Sequence, residues 1–385
     1  MPQPIRIVSI VEAWFVTGQA KNLLDVAQRG RIETESIRPI NLTLVTYERG
    51  TGERESNQFV TAARCAGVTL DIVTEQHRFD TSVIPQIRKI LDARDPDIVE
   101  TNNVKSHFLM RYSGLYRERR WLAYHHGYTT TNFKMRCYNQ LDRWSLRKAQ
   151  RVVTVCAAFS RDLRAKGIPA ERMIVRHNCV GRFQPAAPAA IEKLRASLPA
   201  DTPILLVVGR LSHEKGHTDF LRALAILRRK TKQPFHAILV GAGPELGWIE
   251  ATCSELSLES YVTMAGLQHD VRPWYGIATS VVIPSHSEGS PHVLLEAMSA
   301  GVPVVASRVG GIPEIVTNEE TALLVESRNP EALAAAIQRM IEDESLRARL
   351  ANRAKELAAT EYSPNAYRRA LVETYEHLLA EPCGK

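Results

Sequence analysis

Two acidic residues, Glu288 and Glu296, bracket the turn from loop to helix in PSHSEGSPHVLLEAMSAGVPVVAS. Pro291 suits the first helical turn, where its missing N–H costs nothing. Their spacing is slightly over two helical turns, which predicts Glu288 at the helix mouth and Glu296 on the same side. Glu296 lies between Leu294-Leu295 and Ala297-Met298, so its carboxyl needs a polar partner, and a hydroxyl-rich ligand would supply one. The helix dipole accounts for an acid at 288 but poorly for one at 296. A second cluster is VVGRLSHEKG, where Gly209 and Arg210 end an apolar run and Lys215 enters the next helix. Two cations on such a loop, with the unpaired N–H groups of a helix start, make a clamp for a pyrophosphate. Taken alone, they read equally well as solvated loop charges. Gly241 and Gly243 follow another strand pattern and open another helix; any tight strand-to-helix turn uses glycine, so this signal is weak. Gly266-Leu267 ends a strand whose exposed backbone could meet a nucleobase edge, or is simply a turn.

Other chemistries find less support. Asp95 and Asp97 spell D-x-D where a helix pattern gives way to a strand, and two solvated turn carboxylates explain them. No cluster has metal-ligand spacing, so no metal or other cofactor is expected. The six cysteines are scattered without a C-x-x-C, which reads as reduced thiols of a cytosolic protein. No window is apolar enough to span a bilayer, and the first residues lack the basic start and small-residue cleavage site of a signal peptide. Apolar residues at 44% and charged residues at 24% are ordinary for globular domains.

These residues need scaffolds. Short β-branched runs at 5–11, 40–47, 67–73, 96–101, 120–126 and 150–156 alternate with helix-length segments such as 18–30, 54–66, 82–93 and 132–149. After Val180, GRFQPAAPAA reads as a linker. The alternation restarts with strand patterns at 203–209, 235–241, 261–266, 279–284, 302–307 and 321–326, and helices near 330–343, 345–359 and 364–380 close the chain. Such alternation predicts α/β architecture with two parallel, doubly wound Rossmann-like sheets. The predicted division is an N-terminal domain over 1–182, a C-terminal domain over 183–363, and a final helix in 364–385 that could cross back to the first. A cleft between the domains, at the carboxyl ends of the strands, is the expected ligand site.

GRLSHEKG followed by EGSPHVLLEAMSAGVPVVAS resembles the two signatures of the group-1 (family 4) glycosyltransferases over about 200–328. The first half matches less closely. The resemblance implies the GT-B fold, with its two domains facing across a cleft. It also implies transfer of a sugar from a nucleotide diphosphate donor, usually with retention at the anomeric carbon. Arg210 and Lys215 then correspond to the diphosphate clamp, Glu288 to the acid beside the donor sugar, and Glu296 to the residue holding the ribose hydroxyls. The amides of His292 and Val293 correspond to those on the phosphate at the helix mouth. The region of Gly209, Gly241, Gly243 and Leu267 corresponds to the donor and base pocket. In the first half, His126 of HHG resembles a histidine near the donor sugar, and Gly18 a glycine that lets backbone approach donor and acceptor. The family often has a double glycine at that point; VEAWFVTGQAKN has one, with Trp14 and Phe15 before it. Without the family, His125 and His126 read as a strand-end pair, one ring packed and one wet.

Residues 1–182 hold 29 Lys+Arg against 18 Asp+Glu, and 105–182 hold 17 against 4. Aromatic residues interleave with these charges, a mixture that suits an anionic membrane surface and equally describes a solvated basic face. No nucleic-acid motif accompanies it. The expected protein is therefore a cytoplasmic glycosyltransferase, with peripheral attachment to the inner membrane face as a further expectation. It would act in cell-surface glycan or glycolipid synthesis, on a glycan or lipid-linked acceptor. Alternatives are a nucleotide-sugar epimerase of the same architecture and a non-catalytic nucleotide-sugar binder. A dinucleotide-dependent oxidoreductase fits poorly, since no G-x-G-x-x-G follows the first strand.

Overall fold

The computed structural model describes residues 3–16, 18–30, 37–49, 57–77, 80–128 and 133–382, apart from the Lys134 side chain. The chain divides into two units, 1–178 with 364–385, and 179–363.

In the first unit, strands β1 (Ile5–Ile10), β2 (Ile40–Arg49), β3 (Thr69–Glu75), β4 (Ile98–Thr101), β5 (Trp121–His125), β6 (Arg151–Thr154) and β7 (Met173–Val175) form one sheet. The connecting helices are α1 (Gly18–Arg29), α2 (Gln58–Cys65), α3 (Val83–Arg94), α4 (Val104–Tyr112), α5 (Phe133–Leu146) and α6 (Ala157–Ala165). The strand order is β3-β2-β1-β4-β5-β6-β7, with every pair parallel. Apolar residues occupy both faces of the strands, as burial on both sides demands. One face packs Ile5, Ile7, Leu42 and Phe59; the other packs Val8, Val45, Val99 and Trp121. Asn103 starts α4 by accepting from the Ser106 amide, while the Ser106 hydroxyl bonds back to the Asn103 amide.

The second unit carries α7 (Pro188–Ala196), β8 (Ile204–Val208), α8 (His217–Lys230), β9 (His236–Val240), α9 (Leu246–Glu255), β10 (Val262–Gly266) and α10 (Arg272–Ile277). It continues through β11 (Ser280–Ile283), α11 (His292–Ala300), β12 (Val304–Ser307), α12 (Ile312–Ile315), β13 (Leu323–Val325), α13 (Pro330–Glu342) and α14 (Glu344–Thr360). Its parallel sheet has the order β10-β9-β8-β11-β12-β13. Helix α15 (Pro364–Ala380) then belongs to the first unit. There Leu371, Val372, Tyr375 and Leu378 join the core face that holds Ile5 and Leu42.

All twelve strand patterns read from the sequence fold as strands, within two residues at most ends; β7 was missed. The segment read as a linker is no free connector. Val180 N–H donates to the Tyr362 carbonyl at 2.9 Å, the Ser299 hydroxyl bridges the Gly181 carbonyl and the Phe183 amide, and α7 starts within the segment at Pro188. The proline that suggested a break instead occupies the first turn of a helix. The division between units falls at 178/179, ahead of that segment.

Each sheet has one point where the strand order reverses, between β1 and β4 in the first unit and between β8 and β11 in the second. Loops leaving the carboxyl ends of such strands diverge and open a crevice.

Candidate active site

In the second unit, the loop after β8 carries Arg210 and Lys215, and the loop after β11 carries Glu288. These are the two loops at the reversal point. Lys215 Nζ donates to Glu288 Oε1 at 2.8 Å, and the Ser285 hydroxyl donates to the same oxygen at 2.7 Å. Glu288 is buried, 8% exposed, while Lys215 is half-buried. The loop bearing Glu288 is fixed from behind as well. The Gly311 amide donates to its carbonyl at 3.3 Å. A Cβ on Gly310 would stand 1.7 Å from the same carbonyl oxygen, so no other residue fits without a shift. The loop is tied sideways by His286, whose Nε2 lies 2.8 Å from Asp219 Oδ2 on α8.

Arg210 is exposed. Its charge and that of Lys215 are nonetheless felt locally. Burial pushes the Glu214 carboxyl up, but the Ser212 hydroxyl, its own amide and these two cations hold it below the usual carboxylate range. Helix α11 begins at His292, with Pro291 at the capping position just before it and not in its first turn. The amides of His292 and Val293 therefore lie among those at the helix start that lack intrahelical partners.

Glu296 is part-buried and meets a polar partner, as its apolar neighbours in sequence require. The Tyr275 hydroxyl donates to Glu296 Oε2 at 3.0 Å, so a protein side chain supplies a polar partner. Burial, reinforced by Glu296, raises the Tyr275 hydroxyl well above its ordinary range. Glu288 thus bonds Lys215 and Ser285, and Glu296 bonds Tyr275.

The glycines sit in tightly packed strand-end turns. A Cβ on Gly241 would sit 1.8 Å from the Gly209 carbonyl oxygen, and one on Gly243 2.2 Å from that of Leu211. Close approach is required here, but between the loops that follow β8 and β9. Leu267, just past β10, is 68% exposed, an uncommon state for a large apolar side chain beside a strand end.

In the first unit, Gly18 opens α1 after β1, and Gln19 donates to the Asn102 carbonyl at 3.2 Å. His126 follows β5 and lines a small cavity with Glu100, Tyr124, Arg176 and Asn178, its ring stacked on Tyr124. His125 is buried, 3.3 Å from Asp142, which also lies 2.6 Å from His107 Nδ1 and accepts from the Tyr128 hydroxyl at 3.0 Å. Burial pushes the Asp142 carboxyl up, yet the two histidines hold it well below its usual range. Asp95 and Asp97 are not merely solvated: both pair with Arg6 at 2.9 Å. Cys65, Cys137, Cys156, Cys179 and Cys253 form no disulfide; Cys383 lies outside the described residues.

Sequence reading missed Ser285, Tyr275, Gly310 and the Asp219–His286 pair. Only Ser285 left a signal, a hydroxyl three residues before Glu288; the rest arrive from other elements.

Two parallel-sheet α/β units of this topology define a GT-B fold. The HepE protein of Anabaena, solved with UDP-glucose, superposes with a TM-score of 0.82 over 97% of this chain and 100% of its own, at 20% identity. The model for "Glycosyl transferases group 1" matches residues 190–357, and that for "Glycosyl transferase 4-like domain" matches 39–179. The chain belongs to the group-1 glycosyltransferases. Among curated relatives, D-inositol 3-phosphate glycosyltransferase of Frankia alni is 34% identical over 208 residues, 51% of each chain. The lipopolysaccharide core biosynthesis glycosyltransferase LpsE of Rhizobium meliloti is 31% identical over 191 residues, 50% of this chain and 54% of its own. The chain spans about half the length of these curated relatives.

Proposed function

We propose that this protein transfers a glycosyl group from a nucleotide diphosphate sugar to an acceptor hydroxyl, with retention and without a metal. The observation that carries the reading is the Lys215–Glu288–Ser285 cluster at the reversal point of the second sheet, beside exposed Arg210 and the start of α11. In the reaction, the bond from the anomeric carbon to the diphosphate breaks and negative charge grows on the leaving phosphate. Arg210, Lys215 and the His292 and Val293 amides are fixed donors of the kind that stabilise such charge. The acceptor oxygen bonds to the anomeric carbon, and its proton passes to the departing phosphate. Glu288 contacts the donor sugar and Glu296 the ribose. Gly209, Gly241, Gly243 and Leu267 border the base, with Gly18 and His126 as the first unit's contributions.

The UDP-glucose bound to HepE supports a nucleotide diphosphate donor, and the relative in lipopolysaccharide core synthesis supports a cell-surface glycan or lipid-linked acceptor. The basic surface supports attachment to an anionic membrane at its cytoplasmic face. Among the described residues no helix is long and apolar enough to cross a membrane.

The test is a panel of nucleotide sugars screened by thermal shift, followed by acceptor assays in which proton NMR reads the product anomer. A donor-dependent glycoside of the donor's own anomeric configuration is expected, at a rate unchanged by excess EDTA. An inverted product overturns retention, and a rate that vanishes in EDTA and returns with Mg²⁺ or Mn²⁺ overturns metal independence. Conversion of the donor sugar with no acceptor present points instead to an epimerase.

A further inference from the structure

Arg117, Arg147, Lys148, Arg151 and Arg172 line one open pocket of ≈480 Å³ in the first unit, where Glu381 is the single lining carboxylate. Glu381 pairs with Arg151, which leaves four cations of the lining without an acid among the pocket's own residues. Like charges gathered this closely repel one another, and surface charges usually spread to avoid it.

Neutral acceptors hold the heads in place. Arg172 Nη1 donates to the carbonyls of Arg147 at 3.0 Å and Ala149 at 3.4 Å. Arg147 Nη2 donates to the Lys166 carbonyl at 3.3 Å, and Arg117 Nε to the Tyr116 hydroxyl at 3.0 Å. These bonds orient the guanidinium groups without cancelling their charge. Each guanidinium has five N–H donors, so most stay available to a ligand.

The pocket is also far from the proposed chemistry. It is built from the turn at Leu115–Arg117, the segment after α5, the first residue of β6 and the turn Ala170–Arg172 before β7. Those lie at the amino ends of β5, β6 and β7, whereas His126 follows the carboxyl end of β5. A five-residue strand separates the two edges by roughly 15 Å.

We propose that this pocket binds a multiply charged phosphate group, carried either by a free polyphosphorylated molecule or by a phosphorylated lipid headgroup. Planar forked donors match phosphate oxygens in pairs, and the pocket's volume admits two or three phosphates. The proposal stands independently of the glycosyl-transfer reading, since it uses none of the donor-site residues.

The probe is inorganic tripolyphosphate, titrated by calorimetry into the full chain and into two variants. Binding that weakens at least tenfold in Arg147→Gln/Lys148→Gln, and changes little in Arg210→Gln, is the expected result. Should the double variant fail to fold, Lys148→Gln alone alters one exposed side chain, and at least a threefold loss is expected. Flotation with vesicles containing phosphatidylinositol 4-phosphate, against phosphatidylserine at matched charge, separates the sources. Selective retention by the former that is lost in Lys148→Gln assigns the phosphate to a lipid; tripolyphosphate binding without it assigns a soluble ligand. No tripolyphosphate binding, or an affinity that only Arg210→Gln reduces, overturns the proposal.

Discussion

Glu288 accepts from Lys215 and Ser285 through one oxygen, which ties the chemistry of the site to its stability. Arg210, exposed on its loop, lacks that coupling. Arg210→Ala should lower turnover at least tenfold with the melting temperature unchanged, as steady-state kinetics and calorimetry would show. Lys215→Ala should lower turnover as much and also cost about 1–2 kcal/mol of stability, because a buried carboxylate loses its cation. Glu288→Gln in that background should restore part of the stability and none of the turnover. His217 gives a pH test. Burial, and after it the charge of Lys215, pushes its imidazole down to about 4, and its Nδ1 is buried without a hydrogen-bond partner. An unfolded histidine titrates near 6.5, so between those values the unfolded chain holds more protons than the native one. The stability from neutral His217 is complete above about pH 6.5 and falls away as pH drops through 4, by up to about 3 kcal/mol. Urea unfolding from pH 7 to 4 should show that slope, and His217→Phe should flatten it. An equal slope in the variant would place the acid sensitivity elsewhere.

Elements were far more legible than contacts between them. Runs such as ILLVV and HAILV are continuous and β-branched, because a parallel strand is covered on both faces. The missed β7 is only three residues, MIV, too short to show a period. Arg210, Lys215 and Glu288 were legible because each follows its strand directly, at the end where ligands bind. Tyr275 and Asp219 were not, since their partners, Glu296 on α11 and His286 on the loop after β11, are distant in sequence and no local pattern records the meeting. Gly310 belongs to the same class: its glycine identity is set by the carbonyl of Glu288 on another loop. Gly310→Ala should therefore act on both fold and catalysis. The backbone there is left-handed, with φ of +55°, and the new Cβ displaces the loop that carries Glu288. A loss of about 1–3 kcal/mol is expected with a fall in kcat. A variant with native melting temperature and native kcat would remove the loop's positioning role.

At the scale of the molecule, charge is partitioned between halves: residues 1–182 carry a net +11 and the remainder a net −4. The structure refines which part of the 105–182 stretch faces solvent. Lys105 is buried against Glu75, and Leu115 and Leu146 are core. Phe133 at 80%, Tyr112 at 60% and Trp144 at 40% are exposed, and the Arg111 guanidinium lies 3.6 Å from the Trp144 ring centroid. Exposed aromatics among arginines suit an interfacial surface with each cation adding about 1 kcal/mol near anionic lipid. The protein should float with anionic vesicles at low salt, and release at high salt. Phe133→Ser/Trp144→Ser should weaken retention severalfold. Equal binding to neutral vesicles would remove the electrostatic part.

Helix α15 gives the chain an unusual order of completion. It supplies Leu371, Tyr375 and Leu378 to the first sheet, and the Tyr375 hydroxyl donates at 2.6 Å to Glu100, a carboxyl that burial pushes above its ordinary range. A ribosome therefore delivers every residue of the second unit before it delivers the last helix of the first. Until then, the emerging first sheet keeps Ile5 and Leu42 without part of their cover, and Glu100 without one of its hydroxyls. The half whose synthesis begins first is therefore the half whose chain is completed last.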